Sequence, residues 1–356
     1  MTLNRDDTPM PSASSIIVAA IQATPVYFDR EASTAKACRL IAEAGAQGAV
    51  LAGFGETWLP GYPGFAWRPQ STPGWWDAAE AYLDQAIAIP GPETDRLCKA
   101  AREAGTDVVI GVVELDTETQ GTVYATLLFI GREGVILGRH RKLRPTAYER
   151  VAWGQGDAQG LVVHQRPYGR ISGLNCWEHN MMLPGFALVA GGTQIHVGAW
   201  PGRELAAAPD APNPQWPRQH LLSRAFAAQA ACYVICAGGL LKPSDMPERY
   251  KELVNFTYTG DSAIIDPRGE IIALAPSGEE TVLTARIDLR NVRAAKAVND
   301  IAGHYARPDI FDLRLNRGAP RQAGVILASG GGDESGEPEQ LQSHGADRPR
   351  PGSHTG

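Results

Sequence analysis

No apolar run in this 356-residue chain approaches the ~20 residues that a membrane-spanning helix requires, so an integral helical membrane protein is excluded. An excess of basic residues is missing too. The 33 Lys and Arg stand against 39 Asp and Glu, and a net charge of −6 argues against a nucleic-acid partner. Cysteine is scarce, and its five positions (38, 98, 176, 232 and 236) form an odd, scattered set unlike a secreted disulfide framework. Cys232 and Cys236 lack the C-x-x-C spacing of a zinc or redox pair. The polar, acid-containing first residues do not read as a signal peptide, and the expectation is a reduced, cytoplasmic protein. There is no G-x-S-x-G elbow, no G-x-x-x-x-G-K-[ST] phosphate loop, no H-E-x-x-H and no fixed-period repeat. The eight histidines include no group at metal-ligand spacing, so neither a metal nor a cofactor is expected.

What is there describes a globular chain able to bury a sizeable core, with 44% hydrophobic and 20% charged residues. Short apolar runs at 16–21, 49–52, 108–113, 126–130, 135–137, 193–197 and 233–236 read as strands, most of them buried on both faces. Helical spacing is found at 30–44 (with Gly45 as a stop), 77–89, 94–104 and 216–231. A hairpin joins 263–265 to 270–272 through Asp266-Pro267-Arg268-Gly269. Strands alternating with helices give an α/β fold, with a sheet made mixed by that hairpin. Residues 1–14 read as a disordered leader, 203–214 as a surface loop, 291–327 as a C-terminal extension and 328–356 as a disordered tail. The main domain is expected over 15–290.

The chain is organised around residues 170–187. A strand-like run ends in Asn175-Cys176-Trp177-Glu178-His179, and a helical pattern follows from Met181. A strand, an abrupt turn and a helix lift one side chain out of a sheet towards a pocket. A cysteine there is a strong nucleophile even when only a few per cent ionised, and backbone N–H groups beyond it can hold an oxyanion. An isolated cysteine is more often a small buried hydrophobe, but the polar neighbours Asn175, Glu178 and His179 make Cys176 the candidate nucleophile. Glu56 ends an apolar strand before a turn rich in Trp, Pro, Gly and Tyr, where a raised pKa would suit a general base. It fits equally well as a solvated strand-end carboxylate. Lys142 could stabilise developing negative charge, although a lone Lys in the run 139–144 is by default a solvated edge. Glu149 could hold that Lys or the base, or simply pair with Arg150.

Glu56, Lys142 and Cys176, in that order, resemble the catalytic triad of the nitrilase (carbon–nitrogen hydrolase) superfamily, over roughly residues 16 to 317. Four stretches carry the resemblance to its nitrilase branch: Glu56-Thr57-Trp58-Leu59-Pro60-Gly61-Tyr62-Pro63, then His140 to Thr146 with Glu149-Arg150, then Asn175-Cys176-Trp177-Glu178-His179, and Gly303 to Asp309. Gly55 stands where the family commonly has Pro. The resemblance implies an α-β-β-α sandwich of two mixed sheets between helix layers. It also implies homo-oligomers, dimers or larger and including spirals, and hydrolysis of a small organic nitrile with water. In that reading Glu56 is the base, Lys142 and the Trp177 backbone N–H stabilise charge, and Glu149 orients. Tyr62, Thr146, Trp153, His179 and Trp200 are candidates for the pocket wall. Alternatives are an amidase or carbamoylase of the same superfamily, and a filament-forming or binding protein without chemistry.

Overall fold

The structure is a computed structural model that describes residues 15–203 and 218–318. The expected leader, the 328–356 tail and all of the 203–214 loop except Arg203 lie outside the described residues. In chain order the first half holds β1 (Ser15–Gln22), α1 (Arg30–Ala46), β2 (Ala49–Gly53), α2 (Trp75–Asp84), α3 (Pro92–Ala104), β3 (Asp107–Leu115), β4 (Val123–Gly131) and β5 (Val135–Arg141). The second half holds β6 (His164–Arg166), β7 (Gly169–Asn175), α4 (Met182–Ala190), β8 (Ile195–Trp200), α5 (Arg218–Ala230) and β9 (Tyr233–Gly238). There follow β10 (Leu240–Leu241), β11 (Tyr258–Thr259), β12 (Ala263–Ile265), β13 (Ile271–Leu274), β14 (Thr281–Asp288) and α6 (Arg290–Val298).

Two six-stranded sheets result, ordered β14-β1-β2-β3-β4-β5 and β13-β12-β9-β8-β7-β6. Each has three central parallel strands, β1-β2-β3 in one and β7-β8-β9 in the other, flanked by antiparallel ones. The period of two along each strand sorts the side chains into layers. From β1, Val18 and Ala20 point between the sheets with Leu51, Val109, Ile195, Val197 and Ile235, whereas Ala19 and Ile21 point out under α1 and α3. From β9, Tyr233 and Ile235 face inwards while Val234 and Cys236 face α5 and its neighbour α4. The layers are therefore α-β-β-α. Strands covered on both faces read as unbroken apolar runs, which explains why they were visible in the sequence.

Several element limits differ from expectation. Gly45 does not stop α1; the helix runs to Ala46, and the chain reverses at Gly48, whose φ of 80° suits glycine. The second helix is Trp75–Asp84 rather than 77–89, because residues 85–90 leave it for an extended path in which Ile87 bridges to Glu114. The last strand, β14, was not anticipated, and it pairs along the whole of β1. Leu289 and Val292 at the start of α6 pack into the core between the sheets, so the chain stays attached beyond residue 290. From Gly303 to Gly318 most side chains are exposed, including Tyr305, Ile310 and Phe311.

Candidate active site

Strand ends bring the candidate residues together. Glu56 follows the C-terminal end of β2, Lys142 follows β5, and Cys176 follows β7 in the facing sheet. The two sheets meet here through the Glu56 N–H, which donates to the Trp200 carbonyl at the end of β8 (3.0 Å). This junction accounts for Gly55. A Cβ at that position would lie 2.8 Å from the Trp200 carbonyl oxygen and 2.9 Å from the Gly239 nitrogen. The glycine thus seats Glu56 tightly.

Glu56, Lys142 and Glu149 are all buried, which removes their readings as solvated side chains. Lys142 Nζ lies 2.7 Å from Glu56 Oε1 and 2.7 Å from Glu149 Oε2. Glu149 also accepts from the Thr146 N–H (2.6 Å) and the Tyr62 hydroxyl (2.8 Å). One cation thus sits between two carboxylates, and the second carboxylate is fully hydrogen-bonded while the first is not. Glu56 Oε2 is buried without a hydrogen-bond partner among the described residues. Such an oxygen is costly to leave unpaired and is suited to receive a proton. Burial raises the Glu56 pKa to about 8, against the lowering effect of Lys142 and with the help of Glu149. Burial disfavours the Lys142 ammonium, but Glu149 and Glu56 more than offset it, and the Lys142 pKa is raised. The cation is therefore held.

Cys176 opens a short 3-10 turn, Cys176–Asn180, directly after β7. Its φ of 46° is left-handed, an uncommon conformation for a residue with a side chain and one that clusters at functional sites. Thr57, next to Glu56, has a φ of 42°, more unusual still for a β-branched residue. Burial is the main cause that holds the Cys176 thiol in its protonated form; Glu56 adds to it, while Lys142 and the Trp177 N–H favour the thiolate. The candidate nucleophile therefore keeps its proton unless a neighbouring group takes it.

The elbow is tied to the Lys142 segment by Glu178. Its carboxylate accepts from the Asn175 N–H (2.8 Å) and the Leu143 N–H (2.8 Å) and lies 3.0 Å from His140 Nε2. Burial raises the Glu178 pKa, but His140 and the two backbone donors outweigh it and the net shift is downward. His140 and Glu178 had not been singled out as site residues, although both lie inside the motifs that were. Of the pocket candidates, Tyr62 and Thr146 contact Glu149 directly, and Trp153 places its ring 5.3 Å from Lys142 Nζ while donating to the Tyr82 hydroxyl. Tyr82 had gone unnoticed, since nothing in its helix marks it. His179 and Trp200, also candidates for the pocket wall, meet each other. Their rings stack on each other (5.2 Å, 22°) behind the elbow, and both ring nitrogens of His179 are taken by protein groups. Among the described residues no group of His, Cys, Asp and Glu could hold a metal ion, and no helix is long and apolar enough to cross a membrane.

Residues 17–297 match the family model described as carbon-nitrogen hydrolase. A curated protein from an unknown prokaryotic organism, named Nitrilase 2, is 51% identical over 329 residues, covering 92% of this chain and all of its own length. An aliphatic nitrilase of Rhodococcus rhodochrous is 34% identical over 307 residues, 84% of this chain and 82% of that one. Among solved structures, the NitFhit protein of C. elegans superposes with a TM-score of 0.65 at 18% identity, covering 85% of this chain and 67% of that one. Nit3 of Saccharomyces cerevisiae gives 0.63 at 18% identity, with 82% and 96% covered. At such identities the structural matches speak for the sandwich alone.

Proposed function

The chain belongs to the carbon–nitrogen hydrolase family and, within it, to the nitrilases, and from that premise we propose that it converts an organic nitrile to a carboxylic acid and ammonia with Cys176 as nucleophile. The observation that supports this most is the buried set in which Lys142 bridges Glu56 and Glu149 beside a cysteine on a strained elbow. Glu56 takes the thiol proton on its unpaired oxygen, and sulfur attacks the nitrile carbon. The nitrile nitrogen takes that proton back from Glu56, giving a neutral thioimidate and a free carboxylate. Glu56 then draws a proton from water as the water adds to that carbon. Both protons of that water pass to the nitrogen, the first by way of Glu56, so that it leaves as ammonia and a thioester remains. A second water releases the acid and returns the proton to sulfur. Negative charge on the reacting atoms is met by Lys142 and the Trp177 N–H, and a fixed donor of this kind is worth ~10²–10³ in rate. Glu149 keeps Lys142 charged and in place. If the thiol leaves the tetrahedral intermediate in place of ammonia, the product is an amide, so a minor amide yield is part of this reading.

The same reading includes a homo-oligomer in a reducing compartment. Met182, Leu183 and Leu221 are exposed apolar residues on the packed pair α4 and α5, and all five cysteines are free thiols. Light scattering on the purified chain tests the assembly. For the chemistry, ammonia release from a nitrile panel is compared with that from the matching amides, for wild type and Cys176→Ala. Ammonia from nitriles, lost with the substitution, is expected. Ammonia from amides alone would move the chain to the amidases, and none from either would overturn the reading.

A further inference from the structure

Behind the elbow runs a chain of hydrogen bonds that the chemistry above does not use. His179 Nδ1 lies 2.7 Å from the Cys176 carbonyl oxygen, His179 Nε2 lies 3.0 Å from His196 Nε2, and His196 Nδ1 lies 2.8 Å from Ser172 Oγ. Ser172 Oγ is 2.6 Å from Thr193 Oγ1. The donors follow from chemistry, beginning at the carbonyl, which can only accept. His179 Nδ1 therefore carries a proton. Burial pushes the His179 pKa down to about 4 and holds that of His196 well below its ordinary value, so both rings are neutral. His179 Nε2 is then bare and accepts from His196 Nε2–H, His196 Nδ1 is bare and accepts from the Ser172 hydroxyl, and Ser172 accepts from Thr193. With both rings neutral, one arrangement of protons serves the links from the Cys176 carbonyl to Ser172, and Thr193 gives its single proton to the nearer Ser172 rather than to the Ile195 carbonyl at 3.4 Å.

We propose that this chain, through His179, is a positioning device that aims the Trp177 N–H at the reacting atoms by pinning the Cys176 carbonyl behind the elbow. The Cys176–Trp177 peptide is trans, since the cis bonds are Leu59-Pro60 and Ile89-Pro90. In a planar trans peptide, C=O and N–H point in opposite directions. Pinning the carbonyl towards His179 thus turns the N–H to the other side, where it reaches the Cys176 side chain and favours its thiolate. Without His179 the Cys176 carbonyl would keep only the hydrogen bonding of its own short 3-10 turn, a weaker hold on a residue at φ 46°. The surroundings leave the rings one place. Trp200 stacks on His179, Phe226 stacks on His196 (4.1 Å, 28°), and a Cβ at Gly198 would come within 3.1 Å of His179 Nε2.

This inference deepens the proposed function, resting on it for the identity of the reacting atoms, and two readouts separate their failures. On the nitrile that wild type turns over best, His179→Phe is expected to lower kcat by up to ~10² with KM changed little. His179→Asn, whose amide can donate from nearly the same place as Nδ1, is expected to restore most of it. The second readout needs no nitrile. Alkylation of Cys176 by iodoacetamide, followed by peptide mass spectrometry, is expected to shift its pH midpoint upwards in His179→Phe and back in His179→Asn. Where His179→Phe does not fold, Ser172→Ala removes only the hydroxyl donor to His196 and is expected to lower kcat severalfold and move the midpoint in the same direction. A folded variant with wild-type kcat and an unshifted midpoint would overturn the inference, as would an Asn variant no better than Phe. A wild type inert to nitriles would sink the proposed function while the alkylation midpoints still decided the role of His179.

Discussion

The two sheets share one plan, a parallel trio with antiparallel flanks, yet the loops at their ends do opposite things with charge. The β2 and β5 ends of the first sheet bury three ionisable groups, Glu56, Lys142 and Glu149, with the two carboxyl groups placed around one held cation. On the second sheet, Cys176 and His179 just beyond β7 and His196 inside β8 are kept neutral by burial and a single-direction hydrogen-bond chain. A buried charge needs its partner present, whereas a buried neutral dipole needs only its partner aligned. The charged half should therefore fail abruptly when one member is removed, and the neutral half gradually.

The largest effect is expected at Lys142. Lys142→Met strands two buried carboxylates, so stability should fall by ~3–5 kcal/mol alongside complete loss of turnover. Thermal unfolding read beside ammonia release checks both, and a fully stable Lys142→Met protein would break the comparison. Next comes Glu149→Gln, which keeps the shape but removes the charge that secures Lys142. Its kcat should drop by ~10², comparable to losing one stabilising donor, with the fold retained by circular dichroism. A smaller loss is expected at Gly55. Gly55→Ala presses a methyl against the Trp200 carbonyl and the Gly239 nitrogen, an overpacking worth ~1–3 kcal/mol, and it should lower kcat by displacing Glu56. Steady-state kinetics and denaturant titration of that variant would show whether the base depends on this close approach.

These sites differ in how far the sequence betrayed them. Glu56, Lys142 and Cys176 could be found because each sits just past an apolar strand, where a polar side chain stands out, and in motifs a family shares. Glu149 was readable from its seven-residue distance to Lys142. His196, Ser172 and Thr193 could not be found that way. Ser172 lies inside β7 and His196 inside β8, where the only local signal is strand alternation, and it is sheet pairing that sets Ser172 opposite His196. β14 escaped for a similar reason, since its half-buried edge lacks an unbroken apolar run and its partner β1 lies more than 250 residues earlier. Gly45 misled because glycine is read as a helix end, although here a Cβ would stand 2.7 Å from the Ala104 carbonyl oxygen, so its absence allows α1 to pack on α3. Tight packing, unlike turn chemistry, leaves no pattern in a single chain.

The smallest effect expected is in the pH dependence of stability, and it separates two buried carboxylates by sign. Glu56, its pKa raised by burial, is favourable to folding below about 4.5, its ordinary value, and that contribution is lost as pH rises through about 8. Glu178, its pKa lowered by His140 and backbone donors against the effect of burial, contributes above its ordinary value, and that contribution is lost as pH falls through its lowered pKa. Glu56→Gln should therefore flatten the alkaline side of the stability profile and Glu178→Gln the acid side. Chemical denaturation from acid well below the ordinary carboxylate value up to about pH 9 reads both. The opposite assignment of sides would contradict the directions in which their surroundings push these two carboxylates.

The most direct test of the central claim, that charge from one sheet activates a neutral cysteine on the other, is acid-quenched peptide mass spectrometry during nitrile turnover. The account predicts an acyl mass on the peptide that carries Cys176, present in wild type and absent when Glu56→Gln removes the proton acceptor. Turnover with Cys176 unmodified at every quench time, or an undiminished adduct in Glu56→Gln, would contradict it.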